Sequence, residues 1–371
     1  MRIAFRTDAS IRIGNGHVMR CLTLADALRD RGASCTFFCR AHDGHLIEYV
    51  TARGHQGTLL PARKNDELNR ALETGHAAWL GTSWEDDATE TIRAIDSDHP
   101  DWLVVDHYAL DERWERAMRP RCRRIMAIDD LADRPHHCEL LLDQNLGRKT
   151  SDYEHLIPAD AIALTGPRYA LLRPGFAQRR SESLARRVSP DLKTVLLNMG
   201  GVDKDNVTSL VLKTMSKATL PADTRVIVVM GPHAPWQSDV RTLAGQMPFA
   251  TQVLVGVSDM AGLMTTSDLA IGAAGSTAWE RCCLGLPTIQ LVLADNQAEA
   301  AVALAQCGAA IGISSIDSIA SELPRALHKM QHDHSVLHHL SRRAADICDG
   351  LGTASVAAHL LDVSGVNGAT Q

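Results

Sequence analysis

Residues Arg6 to Leu28 read RTDASIRIGNGHVMRCLTLADAL, and this stretch decides the fold expected for the first half of the chain. The apolar run Arg2–Arg6 predicts a strand, and the glycines Gly14 and Gly16 predict a tight turn after it. His17 then opens a predicted helix, because apolar residues recur every three or four positions beyond it. These residues form one helical face: Val18, Cys21, Leu22, Ala25 and Leu28. A strand, a glycine turn and an amphipathic helix in this order are typical of parallel α/β architecture.

Apolar runs and amphipathic stretches alternate to the end of the chain, so we predict an α/β fold with doubly wound sheets. The predicted strands of the first half are Arg2–Arg6, Cys35–Cys39, Trp102–Val105, Arg124–Ile128, Leu140–Leu142 and Ala161–Leu164. Those of the second half are Thr194–Asn198, Arg225–Met230, Gln252–Leu254, Leu269–Gly272 and Thr288–Leu293. Several strands of the first half end in polar residues, among them Asp8, Asp106 and Asp143. Ligands of open α/β sheets lie beyond the carboxyl ends of the strands, so the first half is expected to carry a site.

The length of 371 residues and the hydrophobic content of 45% suit two domains. The apolar pattern lapses in Gln178–Lys193, QRRSESLARRVSPDLK, which we interpret as the connection between them. We therefore predict an N-terminal domain over residues 1–177, a C-terminal domain over 190–363 and a disordered tail over 364–371. A cleft between two such domains suits a ligand with two chemically different ends.

Charge and composition exclude several classes of protein. The formal net charge of −6 gives no global attraction to polyanions, so nucleic acid is not expected as a partner. The sequence shows neither a secretion signal nor a long apolar run, so we expect a cytoplasmic chain without membrane insertion. Nine cysteines occur without any CxxC pair, which predicts reduced, mostly buried thiols and neither a metal site nor a disulfide framework.

The first glycine turn predicts a ligand site at the end of the sheet. Gly14 and Gly16 let backbone N–H groups approach a ligand closely, and the N-terminus of the next helix favours negative charge. A dinucleotide fingerprint would need a third glycine where Met19 stands, so a nicotinamide cofactor is disfavoured. No P-loop sequence occurs either.

His17 is the candidate general base of this site. An imidazole changes charge near neutral pH, and a helix N-terminus favours its neutral form, which accepts a proton. In the alternative interpretation His17 is structural and caps the helix or fills an interface. Asp8, at the end of the first strand, either orients the imidazole by a hydrogen bond or closes the turn.

A second small-residue turn lies in Ile271–Gln297, IGAAGSTAWERCCLGLPTIQLVLADNQ, and predicts a diphosphate site. Gly275, Ser276 and Thr277 present backbone amides and hydroxyl groups, which hold a diphosphate without a basic surface. Glu280, one turn further along the helix, is a candidate acceptor for ribose hydroxyl groups. In the alternative interpretation the same T-x-x-E residues form a capping box.

Two further pairs of residues complete the predicted site. Asn296 and Gln297 follow the next strand, where they either face the same ligand or cap the following helix. Gly200 and Gly201 follow the strand Thr194–Asn198 and lie either at a ligand or in an ordinary tight turn.

Five stretches together give the sequence its resemblance to a known family: GNGHVMRCLTLADAL, IDDLADRPHHCELLLDQNLG, YALLRPGF, LLNMGG and GAAGSTAWERCCLGLPTIQLVLADNQ. In this order they resemble the UDP-2,4-diacetamido-2,4,6-trideoxy-β-L-altropyranose hydrolases of bacterial pseudaminic acid biosynthesis. The resemblance extends over nearly the whole chain, so it is more specific than any single motif.

This resemblance implies two Rossmann-like domains of the glycosyltransferase-B type, facing across a cleft. It implies that the chain releases UDP from a UDP-sugar with water, without a metal or a cofactor. The catalytic base of the family matches His17. The nucleotide region matches Gly275, Ser276, Thr277, Glu280 and Asn296. Sugar specificity is expected to differ in the segment His76–Thr91.

Three alternatives stay open. A glycosyltransferase or a UDP-sugar 2-epimerase of the same architecture would use the same nucleotide site, and a two-lobed sugar-binding protein would need no base. Arg168 and Arg173 flank the sequence YALL and either reach a pyrophosphate or form surface ion pairs.

Overall fold

The computed structural model of the chain describes residues 1–62, 76–95, 99–218, 220–221 and 223–362. These residues form two compact units. One unit comprises Met1–Leu171 and includes the chain again from Gly352 onward, and the other comprises Leu172–Leu351. Residues 364–371, which are predicted to be a disordered tail, lie outside the described residues.

The first unit is built on a parallel sheet, which has seven strands within the described ranges. They are β1 (Arg2–Thr7), β2 (Ser34–Arg40), β3 (Gln56–Leu60), β4 (Trp102–Asp106), β5 (Arg124–Ile128), β6 (Leu140–Asp143) and β7 (Ile162–Thr165). The order β3-β2-β1-β4-β5-β6-β7 places β1 and β4 side by side at the centre. The helices between them are α1 (Gly16–Arg29), α2 (Ile47–Ala52), α3 (Ala77–Leu80), α4 (Trp84–Ile95) and α5 (Glu112–Met118).

The six strands predicted for this half are confirmed, each within one residue at either end. The prediction omits β3, an edge strand of sequence QGTLL with one buried residue, because it lacks a continuous apolar run. All five residues of the predicted helical face of α1 are buried. The central strands are covered on both faces: Ile3, Phe5 and Val104 lie in the core beneath α1, whereas Ala4 and Val105 lie in the core on the opposite face.

The second unit repeats this plan with six parallel strands among its described residues. They are β8 (Thr194–Asn198), β9 (Arg225–Met230), β10 (Ala250–Val255), β11 (Leu269–Ala273), β12 (Thr288–Leu291) and β13 (Ile311–Ile313), in the order β10-β9-β8-β11-β12-β13. The helices of this unit are α6 (Pro174–Arg186), α7 (Val207–Met215), α8 (Gln237–Ala244), α9 (Met260–Thr266), α10 (Thr277–Cys283), α11 (Ala298–Gln306), α12 (Ile319–His332) and α13 (His334–Ala345). The prediction omits only β13 among these strands, which is three residues long.

The first unit ends, and the second begins, earlier than the predicted connection over 178–189. Those residues largely form α6, which belongs to the second unit. Arginines of this segment serve as hydrogen-bond donors inside the unit: Arg180 of α6 donates to the carbonyl of Ala345, and Arg187, the residue after α6, donates to the carbonyls of Met264 and Ser267, at 2.8 to 2.9 Å. A run of arginines that indicates a solvated connection in the sequence is therefore a packed helix.

The chain returns to the first unit at its end. Helix α14 (Gly352–Asp362) places Val356, Ala357 and Leu360 in the core beneath α1, and all three are fully buried. The indole Nε1 of Trp102 donates to the carbonyl of Leu360 at 2.9 Å. Residues 352–362 are thus part of the first unit, whereas the sequence assigns them to the C-terminal domain.

Three observations concern composition. Eight of the nine cysteines are buried, as predicted, and all nine are free thiols. No helix within the described ranges combines the length and the apolar character that crossing a membrane requires. Among the same residues, no group of three or more His, Cys, Asp or Glu is placed to hold a metal ion.

Candidate active site

His17 lies in the first turn of α1, and the residue is 8% exposed. Its Nδ1 lies 2.6 Å from Oδ1 of Asp106, the last residue of β4. A carboxylate only accepts hydrogen bonds, so Nδ1 of the neutral imidazole carries the ring hydrogen and donates it. Nε2 then carries the free lone pair. This is the tautomer that a general base needs if Nε2 takes the proton.

Asp106 is buried and holds two groups at once. Arg20, one helical turn after His17, donates from Nε to Oδ2 at 2.6 Å and from Nη2 to Oδ1 at 2.7 Å. Burial opposes ionisation of Asp106, but the charge of Arg20 and the hydrogen bonds from Arg20 and His17 outweigh it and hold the pKa of this carboxyl well below its usual range. The carboxylate that faces His17 is therefore ionised at neutral pH.

A second carboxylate continues the network. Nη1 of Arg20 lies 2.8 Å from Oδ2 of Asp130, and the hydroxyl of Tyr108 donates to the same oxygen at 2.6 Å. The ring of Tyr108 meets the imidazole of His17 edge to face, with 4.7 Å between the ring centres. The imidazole is therefore held by a carboxylate at Nδ1 and by an aromatic ring on its side.

Two aromatic side chains of the segment His76–Thr91 lie next to Tyr108. The rings of His76 and Tyr108 lie 4.9 Å apart, those of His76 and Trp79 lie 4.7 Å apart, and those of Trp79 and Tyr108 lie 5.7 Å apart. His76 and Trp79 are partly exposed. The segment in which sugar specificity is expected to differ thus contributes to an aromatic group beside the candidate base; we call His76, Trp79 and Tyr108 the aromatic group.

Asp8 does neither of the two things expected of it. It is fully buried, and its two oxygens accept hydrogen bonds from Nη1 and Nη2 of Arg6 at 2.7 and 2.9 Å. The backbone N–H of Arg40 donates to Oδ1 at 2.6 Å. Asp8 therefore neither orients His17 nor closes the turn, because its carboxylate balances a buried arginine, and its contact with a ligand stays a prediction.

The alternation of side chains along a strand explains this outcome. Thr7 pairs with Asp106 in the register of β1 and β4, so these two side chains lie on the face that α1 covers. Asp8 is one residue further and has the parity of Ala4 and Arg6, which lie on the opposite face. Asp106 rather than Asp8 can therefore reach His17.

The first glycine turn is ordered by its own backbone. Gly14 has a φ of +83° and donates its N–H to the carbonyl of Ser10 at 2.8 Å. Gly16 is the first residue of α1, and the N-cap residue Asn15 makes no side-chain capping hydrogen bond. Gly14 thus has the conformational role that a glycine serves in a tight turn, and the start of α1 has no side chain as a cap.

The second small-residue turn, Gly275–Thr277, follows β11. The helix begins at Thr277 with Ser276 as its N-cap residue, so Thr277 does not hold the N-cap position that the T-x-x-E capping box requires, and Ser276 makes no side-chain capping hydrogen bond. Across the described part of the chain, no hydrogen bond uses the backbone N–H of Gly275 or Ser276. The turn therefore offers backbone donors, as a diphosphate site requires.

Glu280 lies one turn into α10, and its side chain is 16% exposed. Burial raises the pKa of its carboxyl, and the charges of Arg173 and Arg281 act against this increase. Nη2 of Arg173 lies 3.7 Å from Oε1 of Glu280. Of the two arginines that flank YALL, Arg173 is thus the one that joins the predicted nucleotide residues.

Gln297 lies beside the same turn. A Cβ atom added to Gly275 would lie 3.5 Å from Nε2 of Gln297, and Oε1 of Gln297 accepts the N–H of Leu293 at 3.1 Å. Asn296 precedes it in a short 3₁₀ turn. The side-chain amide of Gln297 therefore borders the small-residue turn.

Gly200 and Gly201 follow β8, which pairs with β11, so both glycine turns lie at the same edge of the sheet. Gly200 has a φ of +89°, which favours glycine. A Cβ atom on Gly231 would lie only 1.9 Å from the carbonyl oxygen of Gly201, so position 231 needs glycine for this close approach of the two backbones. The tight-turn interpretation of this pair has direct structural support.

Sequence reasoning missed Asp106, Arg20 and Tyr108 as parts of the site. Asp106 stands out as a polar strand end, but its partner depends on the pairing of β4 with β1. The alternation of side chains places Trp102, Val104 and Asp106 on one face of β4, but the sequence does not show that this face meets α1. Arg20 lies three positions after His17, which places both side chains on one side of α1.

Comparisons with known proteins relate this chain to nucleotide-sugar enzymes. Residues 194–351 match the glycosyltransferase family 28 C-terminal domain. The uncharacterized protein MJ1062 of Methanocaldococcus jannaschii is 23% identical over 303 residues, which cover 81% of this chain and 57% of that protein. The UDP-2,4-diacetamido-2,4,6-trideoxy-beta-L-altropyranose hydrolase of Campylobacter jejuni is 27% identical over 221 residues, 59% of this chain and 68% of the hydrolase. The chain thus spans less than two thirds of MJ1062.

Solved structures share the fold across both units. MurG of Acinetobacter baumannii superimposes with a TM-score of 0.69 at 15% identity, over 97% of this chain and 99% of MurG. The S. aureus MnaA–UDP co-structure gives a TM-score of 0.61 at 11% identity, over 98% and 97% of the two chains. The resemblance read from the motifs and the predicted pair of Rossmann-like domains are confirmed. The chain therefore has the fold of the glycosyltransferase-B-like superfamily and is a relative of a nucleotide-sugar hydrolase.

Proposed function

We propose that this chain is a hydrolase that releases UDP from a UDP-2,4-diacetamido-2,4,6-trideoxyhexose, the altropyranose-linked nucleotide of pseudaminic acid biosynthesis. The single observation that carries the proposal is the hydrogen bond of 2.6 Å between Nδ1 of His17 and Asp106. It leaves Nε2 as the proton acceptor, which is the state that activation of water requires. The similarity to the Campylobacter jejuni hydrolase supports the choice of substrate.

In the proposed reaction, His17 removes a proton from a water molecule while the water oxygen attacks the anomeric carbon. The bond between that carbon and the phosphate oxygen breaks, and its electron pair leaves with UDP. Attack from the side opposite to UDP inverts the configuration. The proton is held on Nε2, and the imidazolium is stabilised by the ionised Asp106.

UDP is a good leaving group, so the proposal includes one base and no paired general acid. In the second unit the proposed diphosphate contacts are the backbone N–H groups of Gly275 and Ser276 and the hydroxyl groups of the turn, with amides from Asn296 and Gln297. Preorganised donors of this kind stabilise charge that develops on a leaving group. Glu280 is the proposed acceptor for ribose hydroxyl groups.

The test uses the purified chain and the UDP-sugar in ¹⁸O-labelled water. We expect the label in the anomeric hydroxyl of the free sugar and none in UDP, because water attacks carbon. Label in the phosphate of UDP would overturn the proposed mechanism. Stereochemistry at the anomeric centre, followed by NMR during the first turnovers, distinguishes inversion from retention.

Transfer to an acceptor hydroxyl is the second candidate. The match of residues 194–351 to the glycosyltransferase family 28 C-terminal domain and the similarity of the fold to MurG favour it. The same incubation with added acceptor sugars distinguishes the two functions, because a transferase releases UDP only when an acceptor is present. A 2-epimerase would convert the substrate into an isomeric UDP-sugar.

A further inference from the structure

Arg281 is a buried arginine beneath the small-residue turn of the second unit. The residue is 3% exposed. Its Nη2 donates to the carbonyl of Ala273 at 2.8 Å, and its Nη1 donates to Oγ1 of Thr277 at 3.1 Å. Its Nε is buried and has no hydrogen-bond partner among the described residues. The guanidinium therefore lies directly behind the turn with part of its donor capacity unused.

No carboxylate within the described ranges lies within 4.0 Å of this guanidinium. Glu280, the acidic neighbour in sequence, pairs with Arg173 instead. Burial lowers the pKa of Arg281 to about 10, so the side chain is still protonated at neutral pH. A buried charge without a partner is costly, and buried arginines are ordinarily paired.

Two other buried arginines of this chain show the ordinary arrangement. Arg6 contacts the carboxylates of Asp8 and Asp87. Arg20 contacts those of Asp106 and Asp130. Arg281 differs from both because no carboxylate of the described residues forms a salt bridge with it, and the charge of Glu280 acts on it only from further away.

Arg187 provides a closer comparison, since burial also lowers its pKa to about 10. Its Nε, Nη1 and Nη2 donate to the carbonyls of Leu284, Ser267 and Met264, at 2.8 to 3.1 Å. All three of its nitrogens are thus used to hold the backbone of its own unit. Hydrogen bonding to backbone explains Arg187, but among the described residues it leaves the Nε of Arg281 without a hydrogen-bond partner and its charge without a salt bridge.

The contact with Thr277 has a chemical consequence. Because Arg281 donates to Oγ1, the hydroxyl hydrogen of Thr277 points away from the guanidinium and is available to another acceptor. The Thr277 residue is partly exposed, whereas Arg281 is buried. A Cβ atom on Gly272 would lie 2.8 Å from Nη1 of Arg281, so glycine at this position leaves room for the guanidinium.

We propose that Arg281 is a positioning residue for the diphosphate of a bound nucleotide: it fixes the Thr277 hydroxyl as a donor and supplies the positive charge that the diphosphate balances. This inference rests on the proposed function, because it takes the ligand of the turn to be a nucleoside diphosphate. Arg281 therefore strengthens the binding of the phosphates and does not affect the binding of the nucleoside.

The test measures binding of UDP and of uridine by isothermal titration calorimetry to five variants: Arg281→Met, Arg281→Lys, Thr277→Val, Thr277→Ser and Arg187→Met. In Arg281→Met, UDP affinity is expected to fall about 10- to 100-fold, the effect of losing an interaction with a charged group, while uridine affinity is unchanged. Thr277→Val is expected to weaken UDP binding in the same selective way. Thr277→Ser keeps the hydroxyl group and is expected to bind UDP with wild-type affinity. Arg281→Lys keeps the positive charge and is expected to retain part of the affinity for UDP.

Thermal melting without ligand distinguishes positioning from support of the fold. Removing an unpaired buried charge is expected to leave the melting temperature of Arg281→Met unchanged or raised. Arg187→Met, the matched control, loses three backbone hydrogen bonds and is expected to melt at a lower temperature with UDP selectivity intact.

Three results would overturn part of this picture. If wild-type protein binds UDP and Arg281→Met binds it equally well, the positioning role is lost and the proposed function is untouched. If Arg281→Met fails to fold, the Thr277 variants decide instead. Equal UDP affinity of Thr277→Val and Thr277→Ser would then remove the positioning role and leave the proposed function untouched. If wild-type protein binds neither UDP nor the UDP-sugar, the proposed function and the inference fall together.

Discussion

Nδ1 of His17 and Oδ1 of Asp106 lie 2.6 Å apart, so one buried carboxylate sets the tautomer of the proposed base. The same carboxylate accepts two hydrogen bonds from Arg20. The orientations of the His17 ring and of the Arg20 guanidinium therefore both depend on Asp106, the last residue of β4. Changes at His17 and at Asp106 should differ in their effects on stability.

Replacing His17 by Asn tests the base directly. The asparagine amide can still donate to Asp106, so the site keeps its hydrogen bond but loses the proton acceptor. We expect kcat for UDP release to fall by about 10²- to 10⁴-fold, with the Kd of UDP nearly unchanged. Steady-state kinetics with the UDP-sugar and calorimetry with UDP measure the two effects. Turnover at the wild-type rate would remove His17 from the mechanism.

Replacing Asp106 by Asn affects the tautomer instead. The amide nitrogen donates toward Nδ1, so the ring hydrogen moves to Nε2 and the base is blocked; we expect kcat to fall by about 10²- to 10⁴-fold. Asp130→Asn is the matched control, because Asp130 contacts Arg20 but not His17. The control should lose much less activity. Equal losses in the two variants would show that the arginine, rather than the tautomer, controls the rate.

The acid stability of the chain should depend on Asp106. Its pKa in the folded protein lies well below the value of about 3.9 in an unfolded chain, so its stabilising effect is present above about pH 4 and is lost as the pH falls further. Melting temperatures of wild type and Asp106→Asn from pH 7 to pH 3 test this. The gap between the two proteins should be widest at neutral pH and should narrow below pH 4. A gap that stays constant to pH 3 would contradict the depressed pKa.

The face of each strand explains what the sequence could and could not predict about this site. The apolar runs predict β1 and β4, and Asp8 and Asp106 both stand at strand ends. The choice between them depends on the pairing of Thr7 with Asp106, which is a long-range register that local patterns do not contain. Asp8 has the opposite parity and therefore balances Arg6.

Helix α6 shows the same limit at the level of domains. The arginines in and after this helix suggest a solvated segment in the sequence, because the carbonyl groups that accept hydrogen bonds from Arg180 and Arg187 lie about 80 to 165 residues further along the chain. The two-unit organisation follows from periodicity alone, but the exact division depends on which backbone groups the arginines reach. The sequence also does not assign helix α14 to a unit, because its apolar face is suited to packing on either core. The structure shows that it packs in the core beneath α1.

Glu280 allows a test between helix capping and ligand binding. Since Ser276 makes no capping hydrogen bond and no capping box forms, Glu280→Gln is expected to leave the melting temperature nearly unchanged. As the acceptor for ribose hydroxyl groups, Glu280 should affect UDP and uridine alike, with affinity falling about 10-fold or more for both. This pattern differs from that of Arg281→Met, which spares uridine. A lowered melting temperature with unchanged affinities for UDP and uridine would show that Glu280 has a structural role instead.

The aromatic group beside His17 offers the last prediction. Trp79 contacts the rings of His76 and Tyr108, is partly exposed, and lies in the segment expected to determine sugar specificity. We expect Trp79→Ala to raise KM for the UDP-sugar by about 3- to 10-fold, the loss of one aromatic contact, and to leave the Kd of UDP unchanged. Trp84→Ala is the matched control: Trp84 lies in the same segment but packs under Arg113, at 5.4 Å from its guanidinium, outside the aromatic group. If both variants raise KM equally, or if Trp79→Ala weakens UDP itself, the aromatic group does not contact the sugar.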